Sequence, residues 1–78
     1  MANLRLFGPA REAAGVGKAI VPGKDVAEVL EAARGRYGTR FATVVASSRV
    51  WLNGEIAELD TPVGDDDEVA VLPPVSGG

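Results

Sequence analysis

The stretch DVAEVLEAARGRYG, residues 25–38, decides the fold class of this chain. Apolar residues recur along it at the spacing of one helical face, and most charged residues fall on the other side. Asp25 and Glu28 have the spacing of a capping box, so a helix is predicted to begin after Asp25. It is predicted to end near Tyr37, with Gly38 as a left-handed cap. The apolar stripe consists of Val26, Val29, Leu30 and Ala33.

Short strands are predicted on both sides of this helix. They are predicted from short apolar or alternating runs that are bounded by glycine, proline or asparagine. These runs are residues 4–7, 18–21, 50–52, 55–57 and 69–72. Asn53-Gly54 is typical of a two-residue hairpin turn, because both residues tolerate positive φ. Residues 10–14 predict a short helix that ends at Gly15. Residues 39–48 have no clear pattern, although their apolar residues suggest a short helical turn packed on the core.

The order strand, strand, helix, strand, strand predicts an α+β fold of the β-grasp type, as in ubiquitin. A mixed sheet would carry the long helix across one face and release a protruding C-terminal tail. We therefore predict a β-grasp domain over residues 1–72 and an extended reactive tail over residues 73–78. The inward-facing sheet residues are predicted to be Leu4, Leu6, Ile20, Val50, Leu52, Val69 and Val71.

Composition excludes several classes of function. The 78 residues include no cysteine and no histidine, which argues against disulfides, thiol chemistry, zinc-type metal sites and histidine proton relays. The net charge of −3 argues against nucleic acid as a partner. No signal-peptide pattern and no apolar run of about 18 residues occurs, so we expect a cytoplasmic protein without a membrane partner.

The face of the sheet opposite the helix is predicted to carry apolar side chains. By the two-residue period of a strand, Phe7, Trp51 and Leu72 point away from the helix. Phe7 and Leu72 would lie side by side if the first and last strands are neighbours, and Ile56 could join them. Scattered exposed apolar residues are common, but a contiguous patch that contains aromatic residues favours a protein–protein interface.

The C-terminal residues LPPVSGG, residues 72–78, raise a second possibility. A glycine-ended tail is usually only a frayed terminus. The alternative is that the Gly78 carboxylate is the reactive group of the protein. Pro73 and Pro74 favour an extended chain, and Gly77 and Gly78 lack the Cβ atoms that would clash in a narrow channel.

Several motifs together resemble the small subunit of molybdopterin synthase, the MoaD type of ubiquitin-like sulfur carrier. The segment FGPAREAAG is similar to that family's F-A-x-x-R-E-x-x-G, and LNGE is similar to V-N-G-E. The segment from Thr61 to Ala70 is similar to T-P-L-x-D-G-D-E-V-A, and PPVSGG equals the family ending. These segments are residues 7–15, 52–55, 61–70 and 73–78.

The resemblance implies a mechanism and a set of partners. An adenylyltransferase related to ubiquitin activators (MoeB type) would use ATP to adenylate Gly78, and a persulfide protein would supply sulfur to form a thiocarboxylate. The tail would then enter the large synthase subunit (MoaE type) and donate sulfur to a pyranopterin precursor. The chain would thus not be an enzyme alone, and it would bind no permanent cofactor. The tail-threading residues would be Pro73, Pro74, Val75, Ser76 and Gly77.

The resemblance also implies a partner interface, formed by Phe7, Ile56 and Leu72, with Arg11 as a polar contact. Residues 64–68 predict an acidic turn, and an acidic run of this kind is usually a solvated loop. An ion pair of Arg11 with Glu12 or with this acidic turn is an equal alternative. The sequence departs from the family at Gly8, Asp66 and Trp51; the first two should be tolerated in turns. Trp51 could alter partner preference or be covered by residues 39–48.

Two other functions stay open from the sequence. The first is a sulfur carrier of the same fold for another pathway, such as thiamine, cysteine or tRNA thiolation. The second is a non-catalytic β-grasp binding or tagging module, and a protein modifier conjugated to lysine would lie between the two.

Overall fold

The structure, a computed structural model, describes residues 1–74. Within them the chain forms five strands and three helices. They are β1 (Ala2–Leu6), α1 (Gly8–Ala14), β2 (Lys18–Val21), α2 (Val26–Tyr37), α3 (Thr39–Ala46), β3 (Arg49–Leu52), β4 (Glu55–Ile56) and β5 (Glu68–Leu72).

The strands form one mixed sheet in the order β2-β1-β5-β3-β4. The central pair, β1 and β5, is parallel, and the other neighbouring pairs are antiparallel. The predicted α+β β-grasp fold is confirmed. Because β1 and β5 are parallel neighbours, the residues that follow them leave the sheet at the same end.

The N-terminus of α2 is capped as the sequence predicts, with one displacement. The Asp25 side chain accepts a hydrogen bond from the Glu28 N–H at 2.8 Å. The Glu28 side chain accepts from the N–H of Lys24 at 2.9 Å, one residue before the position expected in a capping box. The first two N–H groups of the helix, on Val26 and Ala27, donate to the carbonyls of Thr61 and Leu59 in the segment that follows β4. The start of the helix is therefore fastened to that segment.

The core lies between α2 and one face of the sheet. The whole predicted helical stripe is buried, and so are Leu4, Leu6, Val69 and Val71 on the two central strands. Val50 and Leu52 on β3 are partly buried and pack against this cluster. The inward set from the sequence is thus correct for six of its seven members.

The prediction for Ile20 is wrong. Its side chain is 58% exposed and lies on the face of the sheet away from α2, whereas Val21 is fully buried. The register explains the difference, because Ala2 pairs with Val21 and Leu4 with Ala19, which places those pairs on the inner face. The run Ala19-Ile20-Val21 is apolar at every position, so the sequence alone does not define which residues of this strand face inward.

Residues 39–46 form a full helix rather than the short turn that the sequence suggests. Gly38 follows the last residue of α2 as predicted, but it does not form the predicted left-handed cap. Its φ of 93° is positive, whereas its ψ of −170° is extended, a combination that favours glycine and lets the chain turn between the two helices. Phe41 and Val45 of α3 are buried. The Phe41 ring packs at a centroid distance of 5.2 Å against Tyr37, which joins α3 to the end of α2.

The Asn53-Gly54 turn has positive φ at both residues, 51° and 85°, as a type I′ hairpin requires. The Asn53 side chain also binds the start of β5. It donates to the Asp67 carboxylate at 2.9 Å and accepts from the Glu68 N–H at 2.9 Å. The hairpin and the acidic turn are therefore one hydrogen-bonded unit at the end of the sheet opposite to Leu72.

Candidate partner-docking site

The face of the sheet that points away from α2, here called the outer face, carries the predicted interface residues. Strand pairing aligns one row of side chains across all five strands: Lys18, Arg5, Ala70, Trp51 and Ile56. No helix among residues 1–74 covers this row.

Part of the outer face is a shallow, mainly apolar groove with a volume of about 280 Å³. It is lined by Phe7, Trp51, Gly54, Glu68, Ala70 and Leu72. The groove brings together two of the residues singled out from the sequence, Phe7 and Leu72. Trp51 lines the same groove, so residues 39–48 do not cover it, and α3 packs on α1 and α2 instead. That alternative for Trp51 is excluded.

Phe7 is held at the end of β1 by both backbone and side chain. Its N–H donates to the Val71 carbonyl at 3.1 Å, which continues the pairing with β5 by one residue. The Arg5 guanidinium lies 5.5 Å from the centroid of the ring, at a cation–π distance. The same guanidinium is 3.5 Å from the Glu68 carboxylate. Phe7 is 38% exposed, so its ring remains available to a partner.

Ile56 adjoins the groove rather than lining it. It lies directly across from Trp51 in the antiparallel pair and is 66% exposed. Two exposed apolar positions, Phe7 and Ile56, therefore lie on opposite sides of the partly buried Trp51 and Leu72. The apolar surface extends from the end of β1 to β4.

The exit of the tail adjoins this surface. Leu72 ends β5, and Pro73 follows it beside Gly8, where a Cβ atom would lie 3.4 Å from the Pro73 side chain. The φ of Gly8 is 55°, in the left-handed region. Gly8 stands where the resembled pattern has alanine. Its conformation would be strained for a residue with a Cβ atom, whereas glycine adopts it without steric cost. Pro74 is exposed, and the predicted threading residues Val75, Ser76 and Gly77, with the predicted reactive Gly78, lie outside the described residues.

Arg11 is exposed on α1 and lies against the backbone of the loop that leads to β2. A Cβ atom on Gly17 would be 3.3 Å from the Arg11 Nε. Within residues 1–74, Arg11 forms no ion pair with Glu12 or with the acidic turn. The ion-pair alternative from the sequence is therefore not found there.

Glu68 is a member of this surface that the sequence prediction missed. The acidic run predicts that Glu68 lies in a solvated turn, yet Glu68 is the first residue of β5 and pairs with Asn3. The signal was present in the two-residue period, because residues 68, 70 and 72 fall on one face.

Two carboxylates of the acidic turn have a lowered pKa. The hydrogen bond from the Met1 ammonium at 2.6 Å lowers the pKa of Asp65. The N–H of Gly64, which donates to Asp67 at 2.7 Å, lowers the pKa of Asp67, and the Asn53 amide lowers it further. Both interactions stabilise the charged carboxylate at the end of the sheet remote from Leu72.

Comparison with protein-family models assigns the chain to a family. The model of the ThiS family matches residues 4–78. The chain belongs to the ThiS family. Its members are ubiquitin-like sulfur carriers, the class that the sequence predicts for this chain. The comparison with curated protein sequences finds no match.

Solved structures of several proteins are similar to this ThiS-family chain. Small archaeal modifier protein 1 from Methanosarcina acetivorans is 29% identical, with a TM-score of 0.88 over 99% of this chain and 95% of that chain. A chain in the complex of subunits 1 and 2 of molybdopterin-converting factor from Helicobacter pylori is 28% identical, with a TM-score of 0.72 over 99% and 97%. CysO from Mycobacterium tuberculosis, at 17% identity and a TM-score of 0.81 over 96% and 100%, shares the fold.

Two further properties concern residues 1–74 only. None of their helices is long and apolar enough to cross a membrane. Nor do three or more aspartate or glutamate side chains in this part of the chain form a group that could hold a metal ion.

Proposed function

We propose that this protein carries sulfur as a thiocarboxylate on Gly78 and supplies it for molybdopterin synthesis. The observation that carries the proposal is the ThiS family match, which extends through the terminal glycine. The absence of cysteine and histidine adds support, because it leaves the terminal carboxylate as the best candidate for covalent chemistry. The β-grasp domain would serve to present that carboxylate to other proteins.

The proposed activation has two stages. In the first, the Gly78 carboxylate attacks the α-phosphorus of ATP in the adenylyltransferase, forming an acyl-adenylate and releasing pyrophosphate. In the second, the terminal sulfur of a protein persulfide attacks the acyl carbon, and AMP leaves. A thiol then reduces the resulting acyl disulfide, so that the thiocarboxylate is released and the thiol is oxidised to a disulfide. Each stage takes place in a partner protein, and the carrier contributes the terminal residue.

The proposed delivery step takes place in the large synthase subunit. The thiocarboxylate sulfur adds to a carbonyl carbon of the pyranopterin precursor, the carbonyl oxygen takes up the π electrons and is protonated, and it then leaves as water while a carbon–carbon double bond forms. Water then cleaves the bond between the acyl carbon and sulfur, which leaves sulfur on the pterin and regenerates the carboxylate. The similarity to a chain of the Helicobacter pylori complex supports this pathway, as does the PPVSGG ending.

The outer face suits the docking that this chemistry requires. Phe7 and Leu72 lie in one apolar groove, Ile56 extends it, and Pro73 leaves from its margin. A partner that covers the groove would therefore lie beside the root of the tail. Six residues beyond Leu72 extend about 20 Å at roughly 3.3 Å each, far enough to enter a buried nucleotide or pterin site. We assign Arg11, exposed on α1, to a polar contact of the same complex.

Reconstitution tests the pathway. The chain would be incubated with the adenylyltransferase, ATP, a persulfide donor and a reducing thiol, and then with the large synthase subunit and the pyranopterin precursor. We expect molybdopterin, and we expect none from a variant that lacks Gly78. Sulfur transfer to a thiazole synthase, with no molybdopterin in the first assay, would assign the carrier to the thiamine pathway instead.

A protein modifier is the second candidate, and the similarity to small archaeal modifier protein 1 favours it. In that case the activated Gly78 would be attacked by a lysine amine, with loss of AMP, and would form an isopeptide bond. Peptide mass spectrometry of a cell lysate that contains the activated chain would detect lysines joined to Gly78. Isopeptides without any molybdopterin in the reconstitution would favour this candidate over the first.

A further inference from the structure

The charges of this chain are segregated along the sequence. Between residues 32 and 54 every charged residue is an arginine, and between residues 55 and 68 every charged residue is acidic. The arginines are Arg34, Arg36, Arg40 and Arg49, and the acids are Glu55, Glu58, Asp60, Asp65, Asp66, Asp67 and Glu68. If the structure separates positive from negative side chains, the folded protein has a positive end and a negative end.

The fold separates one of these arginines, Arg49, from the acidic turn along the strands of the sheet. The acidic turn lies where β5 begins, at Glu68. At the other end of β5, Leu72 pairs with Arg49, the first residue of β3, and Pro73 follows. The end from which the tail leaves is therefore the end that carries Arg49, and the acidic turn lies at the far end.

The outer face also has an excess of positive charge, although the net charge of the protein is −3. Within residues 1–74, the strand pairing places three cationic side chains on this face, Arg5, Lys18 and Arg49, and one anionic side chain, Glu68. Arg5 is already occupied, because it contacts the Glu68 carboxylate and the Phe7 ring. Lys18 and Arg49 are exposed and have no ion pair within residues 1–74. They lie toward opposite sides of the apolar surface.

We infer that the adenylyltransferase surface that receives the outer face is apolar at its centre and bears carboxylates opposite Arg49 and Lys18. This inference rests on the proposed function. Cations at the margin of an apolar interface accelerate association with an acidic partner and disfavour a basic one. The acidic turn would be repelled by the same surface, so the carrier would approach with its tail first. The adenylyltransferase is the partner because adenylation of Gly78 is the first step of the proposed function, whichever pathway receives the sulfur.

The kinetics of ATP–pyrophosphate exchange by the adenylyltransferase test this inference. Arg49→Glu should raise the KM for the carrier about 10-fold with little change in kcat, because Arg49 acts in association and not in the acyl chemistry. Arg49→Lys should restore most of the affinity. Lys24→Glu is the matched control: it changes the net charge equally, at an exposed site between β2 and α2. Circular dichroism would verify that each variant is folded.

Ionic strength provides a second readout. The KM of the unmodified chain should rise as salt increases from about 0.02 to 0.5 M, and this dependence should be weaker in the double variant Lys18→Glu, Arg49→Glu. A KM for folded Arg49→Glu within twofold of the unmodified value would overturn the inference while the proposed function stands. A lower KM would overturn it too, since the partner surface would then be basic. No exchange with the unmodified chain would overturn both.

Discussion

The two faces of the sheet are built from alternate residues of the same strands, yet they have opposite character. On β1 and β5, Leu4, Leu6, Val69 and Val71 point toward α2 and are buried. On the same strands, Arg5, Glu68 and Leu72 point away and lie on a face that no helix of residues 1–74 covers. On β1 and β5 the inner face is uniformly aliphatic, whereas the outer face of the sheet combines aromatic rings, aliphatic side chains and charges. This contrast indicates that the inner face holds the fold together and that the outer face is free to bind a partner.

The largest expected effect is on the inner face. Leu4→Ala should lower the free energy of unfolding by about 3 kcal/mol, because it removes buried methyl groups and leaves a cavity between the sheet and α2. The matched variant is Ile20→Ala on the neighbouring strand, whose side chain is largely exposed, and the expected loss is below about 1 kcal/mol. Urea denaturation measures both. Equal losses would contradict the assignment of Ile20 to the outer face.

The next effect concerns the outer face. Leu72→Glu should weaken binding to the large synthase subunit by more than about 10-fold, because it places a charge in the apolar groove. The free energy of unfolding should fall by less than about 1 kcal/mol, since Leu72 is only partly buried. Leu59→Glu, at an exposed leucine after β4, is the control and should leave binding unchanged. Calorimetric titration measures the affinity, and global unfolding of Leu72→Glu would show that Leu72 belongs to the core.

A smaller effect on stability is expected from substituting two glycines, one beside the sheet and one in α2, that differ in backbone conformation. Gly8→Ala, at the margin of the outer face, should cost about 1 kcal/mol of stability because alanine is strained at a φ of 55°. Gly35→Ala makes the same substitution inside α2, where the added Cβ has no atom within 4 Å apart from its chain neighbours and the adjacent backbone of the helix. It should stabilise the protein by about 0.5–1 kcal/mol through its higher helix propensity. Thermal unfolding would give Tm shifts of opposite sign; shifts of the same sign would contradict the argument.

The smallest effect is the pH dependence at the acidic turn. The hydrogen bonds from Gly64 and Asn53 hold the pKa of Asp67 in the folded protein below its value of about 3.9 in an unfolded chain. Their contribution to stability is therefore complete above about pH 5 and is lost as the pH falls through the folded-state pKa. Asp67→Asn should make the fall in Tm between about pH 5 and 2 shallower. Asp66→Asn, which removes the same charge from an exposed neighbour, is the control, and an equal change in both variants would contradict the role of the hydrogen bonds.

Much of the fold could be predicted because local signals agreed with the final packing. The stripe of α2 and the Asn53-Gly54 turn each have strong local chemistry, and both form as expected. Ile20 could not be placed, because its strand is apolar on both faces and its orientation depends on pairing with β1. The helix at 39–46 was missed because it begins after a glycine without a side-chain cap and is stabilised by packing of Phe41.

The candidate site was predictable to a similar degree. The two-residue period placed Phe7, Trp51 and Leu72 on one face, and they line one groove. The contact of Arg5 with Glu68 and the position of Arg49 beside Leu72 depend on which strands are neighbours, and this information is not local in the sequence. The role of Gly78 rests on its chemistry and on the family.

The intact mass of the protein, produced together with the adenylyltransferase and a persulfide donor, tests the central claim most directly. We predict a mass increase that corresponds to the replacement of one oxygen by sulfur. The increase should disappear in the variant that lacks Gly78 and persist in Lys24→Glu, since that residue is remote from the tail. An unchanged mass, in a preparation in which the adenylyltransferase forms the acyl-adenylate on a known carrier, would contradict the assignment of this chain as a sulfur carrier.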